Sequence, residues 1–330
     1  MNLLVTGGCG FIGSNFINYY FKKSSNVNII NIDAMYYCAD EFNILPEIRN
    51  SPRYNLVKGN LCSIDLLKLI LNIYKINTVI HFAAQSHVQN SFEDSIKYTS
   101  DNILGTHTLL EACRLYGNIN KFIHISTDEV YGESLLSIDE EKKNEQSILC
   151  PTNPYAATKA GAELIANSYR FSFKMPIIIT RGNNVYGPNQ YPEKLIPRFI
   201  KLLKENKKLT IQGDGSNVRA FLHTEDVVKG LDLILEKGTI GEIYNIGSDE
   251  DKEYTVLEIA RILIDLIKNN NDINDNNNDY DNNDYDYSKY IEYIDDRPFN
   301  DKRYYISNEK LKNLGWTIEK DFIEGLKELI

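Results

Sequence analysis

Short apolar runs alternate with polar, helically spaced stretches through the first half of the chain. Leu3–Thr6, Val27–Ile32, Thr78–Phe82, Lys121–Ser126 and Pro176–Thr180 read as buried strands, and segments such as Asn102–Tyr116 between them read as helices. That alternation predicts an α/β fold, a parallel sheet covered by helices on both faces. The second half is less regular. Loop-rich stretches at 186–192 and 212–219 precede helices expected over Asp226–Leu235 and Thr255–Ile267. The pattern divides the chain into a domain at 1–180, with a return segment near 220–247, and a smaller C-terminal lobe built from 181–219 and 248–330. Residues 269–288 are nearly all Asn, Asp and Tyr, have little to bury, and are expected to form a disordered loop within that lobe.

Composition narrows the partners. The chain has 330 residues and a net charge of −10. Nucleic acid and anionic membrane are therefore unexpected partners. Part of that charge sits in the Asn/Asp tract, so an anionic ligand would need local basic residues rather than a global field. Five cysteines without a Cys-x-x-Cys pair suit free thiols in a reducing compartment, and no apolar run is long enough to span a membrane. The short apolar start lacks the features of a signal peptide, so a cytoplasmic enzyme is expected. The five histidines show no tight metal spacing, and no metal site is expected.

The first strand runs into Thr6-Gly7-Gly8-Cys9-Gly10-Phe11-Ile12-Gly13, in which Gly8-x-Gly10-x-x-Gly13 fits a dinucleotide fingerprint. Glycines there permit a tight turn, close approach of backbone to a pyrophosphate, and packing of helix on strand. The helix N-terminus then faces the phosphates with free N–H groups. Asp33 closes the next strand, placed to accept from a ribose diol and to repel a 2′-phosphate, which favours NAD over NADP. The expected fold is thus a Rossmann-type doubly wound sheet carrying NAD.

Two constellations could carry chemistry. Tyr155 and Lys159, four apart after Pro154, share one face of a predicted helix, where an ammonium beside the phenol would lower its pKa. The same spacing also describes a surface pair. Ser126-Thr127-Asp128-Glu129 ends a strand, where ligands sit in open α/β sheets. The adjacent acids could divide into a proton donor and a base if their pKa values are pushed apart, or could be a helix-capping acidic turn.

With these residues the chain resembles the extended short-chain dehydrogenase/reductases and, within them, the nucleoside-diphosphate-glucose 4,6-dehydratases. The similarity runs from Met1 to about Trp316 and includes His81-Phe82-Ala83-Ala84-Gln85-Ser86-His87-Val88, Pro151-Thr152-Asn153-Pro154-Tyr155, Asn184-Val185-Tyr186-Gly187-Pro188 and Pro192-Glu193-Lys194-Leu195-Ile196-Pro197. The resemblance implies that Tyr155, held by Lys159, deprotonates the C4 hydroxyl, that Thr127 hydrogen-bonds the C4 oxygen, that Glu129 removes the C5 proton and that Asp128 protonates the departing C6 hydroxyl. It places Gly7, Gly10, Phe11, Ile12, Gly13, Asp33, Asn60, Leu61, Ala83 and Ala84, with Tyr155 and Lys159, at NAD. It places Ser86, Thr127, Asn184, Lys194, Leu195, Arg219, Asn245, Arg297 and Tyr304 at the sugar nucleotide, the two arginines being suited to pyrophosphate. A homodimer is implied.

Some positions depart from bacterial members of the family: Asn60 stands for Asp, Gln85 for Glu and Asp101 for Thr. Arg181–Gln190 and Arg297–Asp301 look more like the UDP-glucose dehydratase part of plant-type rhamnose synthases than like dTDP enzymes, which points to UDP-glucose. Epimerase and reductase steps toward rhamnose are then expected from another protein. The rival reading in the same class is a UDP-sugar 4-epimerase, which needs no acid/base pair for C5 and C6. A non-catalytic NAD-binding protein is the rival from another class.

Overall fold

The structure, a computed structural model, describes residues 1–137, 140–249, 252–269 and 285–330. Most of the tract expected to be disordered lies outside these residues. At its far end Tyr287–Tyr290 form one 3-10 turn, and the Tyr287 hydroxyl donates to Asp265 Oδ2 at 2.8 Å.

The strands are β1 Asn2–Thr6, β2 Asn28–Asp33, β3 Tyr54–Lys58, β4 Thr78–His81, β5 Lys121–Thr127, β6 Ile177–Gly182, β7 Asn184–Tyr186, β8 Leu209–Gln212, β9 Val218–His223, β10 Ile243–Ile246, β11 Glu253–Thr255 and β12 Ile291–Ile294. Seven form one parallel sheet in the order β3-β2-β1-β4-β5-β6-β10. The order reverses between β1 and β4, and the crevice beyond the strand ends at such a point is where α/β sheets bind ligands.

Successive strand residues point to opposite faces, and here both faces are buried. Leu3, Val5, Ile29 and Ile80 join a core with Phe16 and Ile17 of helix Phe11–Lys23 and Leu231 and Ile234 of helix Thr224–Lys237. Leu4, Ile30, Val79 and Phe122 join another with Leu67 and Leu71 of helix Ile64–Ile73, Leu109 and Leu110 of helix Gly105–Tyr116, and Ala166 of helix Pro154–Phe173. This double burial is why the strands read as continuous apolar runs.

A second, smaller body of structure is built from the later segments. β11, β9 and β7 form one small sheet and β12 pairs with β8. A third core gathers Phe199 and Leu203 from helix Leu195–Lys204, Ile259 and Leu263 from helix Val256–Ile264, and Leu326. The latter helix starts in a full capping box: Thr255 caps the Glu258 N–H and Glu258 returns to the Thr255 N–H. Residues 220–247 divide between the two bodies. β9 stays in the small sheet, while helix Thr224–Lys237 and β10 pack with the large one.

Among the described residues no helix is long and apolar enough to cross a membrane, and no cluster of three or more His, Cys, Asp or Glu is arranged to hold a metal. All five cysteines are free thiols.

Candidate active site

The loop after β1 makes a backbone cradle. Gly7 has φ +70°, and a Cβ there would stand 2.7 Å from the backbone of Ala83 at the end of β4. A Cβ on Gly13 would stand 2.5 Å from the Gly7 carbonyl oxygen. Gly10 closes the turn, its N–H donating to Gly7 O at 3.2 Å. Gly8 is different from expectation. Its N–H donates inward to Asn31 Oδ1 at 3.0 Å, so it packs the loop on β2. The glycines that face the cleft are Gly7, Gly10 and Gly13.

Phe11, Ile12, Leu61, Ala83 and Ala84 line the same cleft, together with Tyr155 and Lys159. Asp33 lines it from the carboxyl end of β2. Its two oxygens accept from Cys9 N at 2.9 Å and Met35 N at 2.8 Å, and burial raises its carboxyl above the ordinary range. Asn60 Oδ1 accepts from Cys62 N at 2.8 Å while its amide donates to the Tyr36 hydroxyl at 2.8 Å. Gln85 and Asp101, two of the departures from the bacterial pattern, are bonded to each other at 2.9 Å. A cradle that one Cβ would fill, at a helix N-terminus, fits a pyrophosphate, and the carboxylate beyond it fits a ribose diol.

The acidic pair stands where β5 ends. Thr127 Oγ1 caps the 3-10 turn Asp128–Tyr131 by accepting from Glu129 N at 3.3 Å. Capping is therefore the threonine's part, and the acids are free for other contacts. Asp128 is 2% exposed and takes hydrogen bonds from Asn183 Nδ2 at 2.6 Å and Thr127 Oγ1 at 3.1 Å. Burial, then the Glu129 charge, push its carboxyl up to about 7. Glu129 Oε2 accepts from Asn153 Nδ2 at 3.0 Å and lies 3.3 Å from the Tyr304 hydroxyl. Burial raises the Glu129 carboxyl too. Asn183 and Asn153 were not singled out in the sequence. Asn153 carried a signal, preceding Pro154 at a helix start, and it does cap that helix by accepting from Ala156 N at 2.9 Å.

Tyr155 lies on the first turn of helix Pro154–Phe173 and Lys159 one turn later. The Lys159 ammonium donates to Ile125 O on β5 at 2.7 Å, and burial lowers it to about 8. The expected lowering of the Tyr155 pKa is reversed. Burial first, then the charges of Glu129 and Asp128, push the phenol upward, with the Thr127 hydroxyl pulling the other way. His81 and His124 are buried strand positions, as expected: 1% and 0% exposed.

A second cavity of about 630 Å³, the size of a small-molecule site, opens beside the cleft. Glu129, Ser86, Asn184, Lys194, Leu195, Arg219, Arg297 and Tyr304 line it. Arg297 Nη2 and Arg219 Nη2 converge on Asn300 Oδ1 at 2.5 and 3.2 Å. The two cavities share Ser86, Gln190, Glu193 and Lys194, and the Lys194 ammonium bridges to Ser86 O at 2.6 Å. The shared wall is reinforced by Tyr37, whose hydroxyl donates to the Glu193 carboxylate at 2.9 Å. Asn245 is a correction. It is fully buried on β10, where Oδ1 accepts from Tyr131 and its amide donates to Lys143 O, so it faces the sheet and not the cavity. Tyr131 in turn joins the buried ion pair of Arg181 with Glu163, 2.7 Å apart.

The profile of the GDP-mannose 4,6 dehydratase family matches residues 4–329. The chain belongs to that family. Among curated members, it is 48% identical to the dTDP-D-glucose 4,6-dehydratase of Dictyostelium discoideum over 350 residues, covering 99% of this chain and 80% of that one. It is 45% identical over 330 residues to a trifunctional Arabidopsis thaliana protein named for UDP-glucose 4,6-dehydratase, UDP-4-keto-6-deoxy-D-glucose 3,5-epimerase and UDP-4-keto-L-rhamnose reductase. That match takes in 99% of this chain but 46% of the plant protein, so the chain spans about half the length of this multi-activity relative. Among solved family structures, the dTDP-glucose 4,6-dehydratase of Bacillus anthracis in complex with NAD superposes with a TM-score of 0.86 at 38% identity, covering 100% of this chain and 95% of that one.

Proposed function

We propose that the protein is an NAD-dependent hydro-lyase, a 4,6-dehydratase that removes water from a nucleoside-diphosphate glucose and leaves the 4-keto-6-deoxy sugar nucleotide. One observation carries this reading: of two adjacent carboxyls at the end of β5, each held by its own asparagine, Asp128 is buried and Glu129 is half-buried and lines the cavity beside the dinucleotide cleft. A 4-epimerase works at C4 alone and has no use for such a pair. Named relatives and the bound NAD of the Bacillus structure support the same reading.

NAD, bound in the cleft through Gly7, Gly10, Gly13 and Asp33, supplies hydride acceptance at C4 and return at C6. The residues do the rest. Tyr155 takes the C4 hydroxyl proton as its phenolate, the form that the positive charge of oxidised NAD beside it would favour against the upward push of burial, and Thr127 holds the C4 oxygen. A carbonyl at C4 acidifies the C5 proton, which Glu129 removes. Asp128, about half protonated at neutral pH because its carboxyl is pushed up to about 7, gives its proton to the departing C6 hydroxyl. Lys159, buried and bonded to Ile125 O, fixes the helix of Tyr155 against β5. Arg219 and Arg297 neutralise the substrate pyrophosphate. UDP-glucose is the proposed substrate, with dTDP-glucose as the alternative. The protein is proposed to retain NAD through turnover and to act as a homodimer in the cytoplasm.

The test is incubation with UDP-glucose and dTDP-glucose separately, followed by mass spectrometry. Loss of one water supports the dehydratase. Conversion of UDP-glucose to an isomer of unchanged mass would favour the epimerase.

A further inference from the structure

Asp301 is a buried carboxylate, 4% exposed, with no ion pair among the described residues. Its Oδ1 accepts from the Thr152 hydroxyl at 2.5 Å and its Oδ2 accepts from the Tyr304 hydroxyl. The same Tyr304 oxygen lies 3.3 Å from Glu129 Oε2. A phenol has one proton to give. Given to Asp301, it leaves only lone pairs toward Glu129. An ionised Glu129 then meets an acceptor, whereas a protonated Glu129 can donate to it.

We propose that Asp301, acting through the Tyr304 hydroxyl, is a positioning residue that favours the proton-bearing form of Glu129 and so strengthens it as a base. The inference rests on the reading of Glu129 as the group that removes the C5 proton. When Glu129 takes that proton, it gains a hydrogen bond to Tyr304 Oη, while Tyr304 keeps its own proton on Asp301. The chain Glu129, Tyr304, Asp301, Thr152 then runs donor to acceptor without a clash until Asp301, where Thr152 donates from the other side.

The surroundings agree. Burial is the largest influence raising the Glu129 carboxyl, Asn153 opposes it, and the Asp301 charge adds to the rise. Burial, Glu129 and Asp301 all push the Tyr304 phenol upward, so it stays protonated. Lys194 and Arg219 face Glu129 with the opposite effect, and Arg297, Asp128 and Tyr155 complete the charged and titratable groups around it. Thr152 lies just before the helix of Tyr155, and Asp301 comes from the C-terminal segment. The contact thus ties base strength to the docking of that segment.

The test is carbon NMR titration of the Glu129 carboxyl in the free protein, its signal assigned by its loss in Glu129→Gln. In Asp301→Asn the midpoint should fall by about one pH unit, a tenfold weaker base. Tyr304→Phe should also lower it, and the double variant should fall by less than the sum of the two, because both changes break one chain although the Asp301 charge also acts through space. Should Asp301→Asn not fold, Tyr304→Phe alone still decides. An unchanged or raised midpoint, or two shifts that add, would overturn the proposal. Water loss from C5-deuterated substrate should show its acid limb moved by the same amount; an unmoved limb, with Glu129→Gln inactive, would also overturn it. Wild-type water loss in Glu129→Gln would instead defeat the dehydratase assignment of Glu129, while the titration would still report on the chain.

Discussion

Replacing Asp128 by asparagine should stabilise the folded protein at neutral pH while removing most of its activity. Asp128 ionises near 3.8 when unperturbed, and burial followed by the Glu129 charge push it up to about 7 in the folded chain. The sign follows from linkage. A carboxyl whose folded pKa lies above its unfolded value contributes stability that is fully present below about 3.8 and is lost as pH rises through about 7. A gap of about three units corresponds to roughly 4 kcal/mol, an upper figure because Glu129 titrates alongside it. Asparagine has nearly the same shape and no such proton. Its stability relative to wild type should therefore be small and constant near pH 4, then grow by a few kcal/mol toward pH 8. Urea midpoints of both proteins across that range measure the difference, and water loss at neutral pH should fall by about 10²–10⁴-fold. A stability difference that does not change with pH would refute the raised carboxyl. Undiminished water loss would refute its part as acid.

Wild-type turnover should decline above about pH 7 as Asp128 loses its proton, and Asn183→Ala, which removes a hydrogen bond to the ionised form, should move that decline upward in a pH–rate profile. Tyr155→Phe should abolish water loss with an unchanged far-ultraviolet spectrum and thermal midpoint within a few degrees, since the ring still packs; turnover near wild type would remove it from the mechanism. Gly13→Ala places a methyl 2.5 Å from the Gly7 carbonyl oxygen and should cost about 1–3 kcal/mol of stability together with most NAD affinity, checked by thermal unfolding and calorimetric titration. Arg297→Ala should weaken inhibition by free UDP at least tenfold in a competition assay, with little effect on NAD affinity.

Features legible in the chain were those carried by one local segment. The glycine cradle, the strand-end acids and the Tyr155/Lys159 spacing each lie within a few residues; the structure lines one cleft with the cradle and the Tyr155/Lys159 pair, and the adjoining cavity with Glu129. The five strands read from apolar runs are present. β3 was missed because it is an edge strand with the half-buried pattern of Tyr54-Asn55-Leu56-Val57-Lys58, and such alternation is weak in so short a segment. Contacts across long separations were not legible. Asn183 reaches Asp128 over 55 residues, and Tyr304 reaches Glu129 over 175. The resemblance implies Asn245 at the sugar nucleotide, but its direction depends on β10 joining the sheet beside β6. The Tyr155 shift runs opposite to expectation for a similar reason: helix spacing says that Lys159 is near, but only the fold shows the burial of the phenol and the charges of Glu129 and Asp128 that push it upward.

The wall common to both cavities has a thermodynamic consequence. Lys194 bonds across it to Ser86, and each cavity touches both residues. A ligand in either cavity that shifts this strut changes the free energy of occupying the other, and linkage makes the effect mutual: whatever factor the sugar nucleotide applies to NAD affinity, NAD applies to sugar-nucleotide affinity. Affinities measured with one cavity empty therefore describe a different binding partner from the one that turns over, and a change at Lys194 should alter both isotherms by amounts that satisfy a closed cycle.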